Sequence, residues 1–92
     1  MYERKKNLFG LSRVIKKRID KENITIQNFA HQHCVQHGLS LSTLNRYLYA
    51  NNAPSVLMCW RIAESLCDMT AEPVELVFME LAQAIRNKKT PD

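Results

Sequence analysis

The sequence predicts an all-α protein of five helices folded as one domain, and three observations carry that prediction. Only two of the 92 residues are glycine. Apolar side chains recur at i, i+3 and i+4 spacing instead of alternating, and capping residues and prolines punctuate the chain between the periodic stretches. An apolar content of 46% suffices for one compact core, while the length is too short for two ordinary domains.

The first helix is read from Leu8, Leu11, Ile15 and Ile19, one apolar line among Arg13, Lys16, Lys17 and Asp20, ending near Glu22-Asn23. Thr25 is a good N-cap for a second helix, because its hydroxyl can accept an amide hydrogen of the first turn. That helix is expected to run to about His37, where Gly38 can take the left-handed conformation that closes a helix. Ser40 then caps a third helix at Leu41–Ala50. Leu44, Tyr47 and Leu48 form its inward face, and Leu41, Ser42, Asn45, Arg46 and Tyr49 lie elsewhere on the wheel. Pro54 ends this stretch, since it cannot continue a helix and holds Ala53 extended. Ser55 caps a fourth helix through about Cys67, Asp68-Met69-Thr70 is the expected break, and a fifth helix follows Pro73 to about Asn87.

Charge and cysteine content narrow the setting. The net charge of +4 is concentrated in Arg4, Lys5, Lys6, Arg13, Lys16, Lys17, Arg18 and Lys21 near the front and Arg86, Lys88 and Lys89 near the end. Such clusters suit phosphate and suit plain solubility equally well. Cys34, Cys59 and Cys67 are odd in number and lack CxxC spacing, which argues against a disulfide scaffold and for a reducing cytoplasm. Neither a signal-peptide pattern nor a run of eighteen apolar residues occurs, so a soluble intracellular protein is expected.

One stretch carries a more specific signal. Gly38-Leu39-Ser40-Leu41-Ser42-Thr43-Leu44-Asn45-Arg46 resembles the turn and recognition helix of the phage-repressor and Cro family of helix-turn-helix proteins. Downstream, Pro54-Ser55, Val56, Cys59, Ile62-Ala63 and Leu66 look like that family's fourth helix in the same register. Upstream, Ile24-Thr25-Ile26-Gln27 and Phe29-Ala30 resemble the start of its second helix. The resemblance spans roughly residues 8–69 and implies a five-helix, lambda-repressor-like, sequence-specific DNA-binding regulator, most simply a repressor. Residues 1–7 then form a basic tail, 70–87 a C-terminal dimerisation helix and 88–92 a second tail.

Two departures stand out. The interval from Thr25 to Gly38 exceeds the family pattern by about four residues, slightly more than one 3.6-residue turn. A second helix one turn longer, with Cys34 at the small-residue position, is favoured; the alternative uses Ala30 there and loops out Val35 to His37. The second departure is Ala50-Asn51 where the family commonly has glycine, although Asn51 tolerates the left-handed conformation better than most residues.

An α-helix fits the B-DNA major groove, which allocates roles by position. Arg46 can bond guanine O6 and N7 together, Asn45 can do the analogous job on adenine, and Ser42 is a shorter reader. Leu41 is open between packing on a thymine methyl and joining the core. Gln27, Ser40, Thr43, Tyr49, Asn51 and Asn52 are expected at phosphates. The fifth helix is apolar nearly all round, and a chain this short leaves much of its surface exposed, so a two-fold homodimer through Val74, Val77, Phe78, Leu81 and Ile85 is expected. Trp60, Leu57 and Met58 either join that interface or cover a neighbouring helix.

Other chemistries fare worse. His33 and His37 stand at i, i+4 spacing that can hold zinc, but His31, Cys34 and the rest supply no complete ligand set, so no metal and no cofactor is expected. No nucleophile-base motif or glycine-rich phosphate loop is present, and an enzyme is not expected. The runner-up is a helical protein-interaction module, such as an antitoxin or accessory factor.

Overall fold

A computed structural model of the chain describes residues 10–49 and 54–86. Among these residues the protein is all-helical, with no strand. Leu8, Ala50, Asn51, Asn52 and Asn87, which figure in the expectations above, lie outside the described residues.

The first helix, α1 (Leu11–Lys21), starts later than its apolar spacing suggested. Gly10, at φ +63, sets that start: the left-handed conformation, nearly free for glycine, breaks the helical path before Leu11. At the other end the Ile24 amide donates to the Ile19 carbonyl at 3.3 Å and Asn23 sits at φ +61, the closing turn in which asparagine is tolerated. Leu11, Val14, Ile15 and Ile19 all point into the core.

The second helical segment follows the Thr25 cap, whose hydroxyl accepts the Asn28 amide at 3.1 Å. Its backbone stays helical to His37, as the longer-helix reading expects, but it is not a regular α-helix. After α2 (Ile26–Phe29) the segment widens into a π turn over Ala30–Cys34 and then tightens into a 3-10 turn over Val35–His37. The Val35 amide bonds to the Ala30 carbonyl, five residues back, which identifies the widened turn. Val35 to His37 are therefore wound into the helix and not looped out. Both candidates for the small inward position are used: Ala30 and Cys34 are each buried.

Gly38, at φ +81, closes this segment, and the Leu39 amide reaches back to the Cys34 carbonyl at 3.0 Å. Leu39 is buried, as the residue after a left-handed cap commonly is. The Ser40 hydroxyl accepts the Thr43 amide at 3.1 Å and starts α3 (Leu41–Tyr49).

Ser55 caps α4 (Val56–Thr70) through the Met58 amide at 3.2 Å. This helix runs through Asp68-Met69-Thr70, where a break was expected. Those residues are mediocre helix formers but nothing forbids them. The stop comes instead from Ala71, at φ +64, and from Pro73, which disfavours helical geometry at Glu72.

The last helix, α5 (Val74–Arg86), packs on α4 and α1. Val77 and Leu81 are buried in the same core as Leu11, Ile15, Phe29, Leu44, Ile62 and Leu66. This corrects the expectation that they serve a partner chain, since the protein's own interior already surrounds them. Phe78, half-buried, meets Trp60 edge-on with ring centroids 5.2 Å apart, so Trp60 covers a neighbouring helix within the chain.

Among the described residues no helix is long and apolar enough to cross a membrane.

Candidate nucleic-acid interface

The turn Gly38-Leu39-Ser40 sets the exit angle of α3 from the second helical segment. Two locks hold it. Leu39 is sunk in the core, and the Arg61 guanidinium of α4 lies so close that a Cβ added at Gly38 would stand 3.0 Å from Nη1. Leu44 and Leu48 anchor α3 from below, while Leu41 and Tyr47 are half-buried against the core. That placement resolves Leu41 toward core packing.

What α3 leaves outside is a single stripe. Ser42, Arg46 and Tyr49 are exposed, and their i, i+4, i+7 spacing aligns them along one side, with half-buried Asn45 beside them. Thr43 is half-buried and engaged at the helix start, where Ser40 donates its hydroxyl to Thr43 Oγ1 at 3.0 Å. Ser40 is therefore first a capping residue. Gln27 is exposed in the first turn of α2.

Arg46 makes no ion pair among the described residues. Lys16 of α1 makes none there either; its ammonium lies 5.9 Å from the centroid of the Tyr49 ring. Sequence reading missed Lys16 as a neighbour of this stripe, because only tertiary packing of α1 on α3 brings residues 16 and 49 together. Its position on the polar side of α1 was visible, its direction was not.

The opposite flank of α1 is different in kind. Arg18, 8% exposed, donates from Nε to Glu72 at 2.8 Å, from Nη2 to Glu80 at 2.7 Å and from Nη1 to the Val14 carbonyl at 3.2 Å. Lys17 bridges to Glu80 at 2.7 Å. The hydrogen bond from Arg18 holds the Glu72 carboxyl below its ordinary value. Burial opposes the same shift at Glu80, but the hydrogen bonds from Arg18 and Lys17 outweigh it. These basic residues are committed to tying α1 to α5 and to the α4–α5 linker.

The histidine cluster is also turned inward on the protein itself. His33 Nδ1 lies 3.1 Å from an Asp68 carboxylate oxygen that also accepts from Gln36 Nε2 at 2.8 Å, and His37 Nδ1 lies 3.8 Å from Glu64. The two histidines thus meet two acids one turn apart on α4. Among the described residues no group of three or more His, Cys, Asp or Glu side chains is placed to hold a metal ion. Burial pushes the Cys34 and Cys59 thiols each up to about 11, with hydrogen bonding to Ser65 partly offsetting it at Cys34. Such thiols stay protonated near neutral pH and act as packing groups.

Comparison with protein-family models, with curated proteins and with solved structures returned no match.

Proposed function

We propose that the protein is a sequence-specific DNA-binding transcriptional regulator, acting as a repressor, that lays α3 in the major groove. The observation that carries this reading is the exposed stripe Ser42, Arg46 and Tyr49 on a helix fixed by a glycine-closed, serine-capped turn. A groove-reading helix needs its base-facing side chains unengaged and its backbone held rigidly, and α3 combines the two. Arg46 reads guanine, Asn45 and Ser42 read neighbouring positions, and Gln27 and Tyr49 contact phosphate. The resemblance of residues 38–46 and 54–66 to the phage-repressor and Cro pattern supports the same reading.

The active form on DNA is a homodimer on a pseudo-palindromic site, with reading helices about 34 Å apart. Val77 and Leu81 being spent internally, the contact falls to Val74, Phe78 and Ile85, half-buried, together with Leu76 and Met79, which are 64% and 56% exposed. Apolar residues left this open favour a protein partner. The same observation favours the second reading, a helical protein-interaction module of the antitoxin or accessory-factor kind, and DNA binding by the isolated chain separates the two.

Replacing Arg46 by Ala is expected to cost about 1–3 kcal/mol of specific binding and to relax preference at one base position, while the fold is retained. Titration of labelled duplexes differing at single positions checks this. Unchanged affinity and unchanged selectivity would refute the role of Arg46.

A further inference from the structure

Lys16 and Lys17 are neighbours in sequence, yet the fold sends them to opposite flanks of α1. Lys17 bridges to Glu80 of α5, whereas Lys16 lies over the exposed face of Tyr49 at the far end of the α3 stripe. The Tyr49 ring is 62% exposed, and the ammonium above it is open to solvent.

We propose that Lys16 is a positioning residue for nucleic acid: an α1 cation, held over the Tyr49 ring, that binds a backbone phosphate beside the C-terminal end of α3. This rests on the DNA-binding reading above and extends its surface from one helix to two.

Three physical points support it. An aromatic face attracts an ammonium within about 6 Å of its centroid, so the ring restricts a side chain that otherwise samples many rotamers. The face of the ring is a weak competitor for a phosphate oxygen, and the ammonium has three N–H donors, so the contact leaves donors free. An ammonium already bridged to a carboxylate, as at Lys17, would have to give that bridge up. Arg46 lies one turn before Tyr49 on the same stripe, which puts a base-reading guanidinium and a phosphate-seeking ammonium on one surface.

The test uses the full chain and a duplex enriched by it from a random-sequence DNA pool, with affinity measured by fluorescence anisotropy over a range of salt concentrations. Lys16→Gln is expected to lower the log–log salt slope by about 0.9, the signature of one lost phosphate contact, and to leave the preferred sequence unchanged. Lys17→Gln is expected to leave the slope unchanged, and Lys16→Arg to preserve it. Tyr49→Phe keeps the ring. Tyr49→Leu removes it and should weaken binding about two- to five-fold more in the wild-type background than beside Lys16→Gln. Circular dichroism of each variant confirms that the helices persist.

A slope unaltered by Lys16→Gln, with wild-type binding intact, overturns the assignment of Lys16 and spares the DNA-binding reading. Strictly additive effects of Lys16→Gln and Tyr49→Leu overturn the part played by the ring. A wild-type chain that enriches no sequence and binds no duplex overturns both the proposal and the reading beneath it.

Discussion

The two flanks of α1 make opposite use of positive charge. Toward α5, Arg18 and Lys17 are bonded to Glu72 and Glu80. Toward α3, Lys16 has an aromatic ring for a neighbour, and Arg46 carries no acidic partner among the described residues. Net charge alone does not distinguish these flanks, and the basic character of a helix is a poor guide to which of its cations are available. The useful quantity is the number of cations left after the fold has paired its own carboxylates.

That contrast predicts a crossed pattern of effects. On the paired flank, Arg18→Ala should cost roughly 2–3 kcal/mol of stability in urea unfolding. Breaking a fully buried ion pair costs more, about 3–5 kcal/mol. Here the Glu72 and Glu80 side chains are 39% and 35% exposed, so the carboxylates left behind can rehydrate. On the open flank, Arg46→Ala should change stability by less than about 0.5 kcal/mol, because its side chain is exposed and carries no internal pair. A large stability loss from Arg46→Ala would erase the contrast.

The paired flank should also show itself in acid. Glu72 and Glu80 both titrate below the ordinary carboxylate value of 4.5, so their contribution is present above that pH. It is lost as pH falls through the lower folded-state values. Urea midpoints measured from pH 7 downward should hold steady with respect to these groups and decline below about 4.5. Without Arg18 the bonds that lower both acids are gone, and the decline should be shallower. Equal slopes in the two proteins would show that Arg18 is not what holds the acids low.

A smaller effect sharpens the boundary near the paired flank. Ala71 ends α4 in the left-handed region, which costs an L-residue roughly 1–2 kcal/mol. Ala71→Gly removes that strain at a backbone-entropy cost of about 0.5–1 kcal/mol. A net gain near 0.5–1 kcal/mol is expected in thermal unfolding, and a loss would place the strain elsewhere.

How legible these features were follows from their range along the chain. Thr25, Ser40 and Ser55 could be read as caps because a cap acts on an amide three residues away, and each does so here. Gly38 as a helix closer and Leu44 as a core residue were legible on the same grounds. The Arg18 network was not, since its partners lie 54 and 62 residues downstream and no local pattern pairs them. The π turn at Ala30–Cys34 was hidden for a different reason: composition reports that a segment is helical, but hardly how many residues each turn takes. The apolar residues of α5 misled because continuous hydrophobicity does not say which side meets the chain's own core. On the α3 stripe, spacing gave Ser42, Asn45 and Arg46 directly, whereas Leu41 was ambiguous and Lys16 invisible until α1 was packed in place.

The central claim, that α3 presents a reading surface for DNA, is tested most directly by selection of duplexes from a random-sequence pool with the purified chain, followed by salt titration of the winners. The account predicts one short, two-fold-related sequence whose affinity falls steeply with rising salt, as counterion release at several phosphates requires. Failure to enrich any sequence, or binding to duplex DNA that salt leaves unchanged, would contradict it.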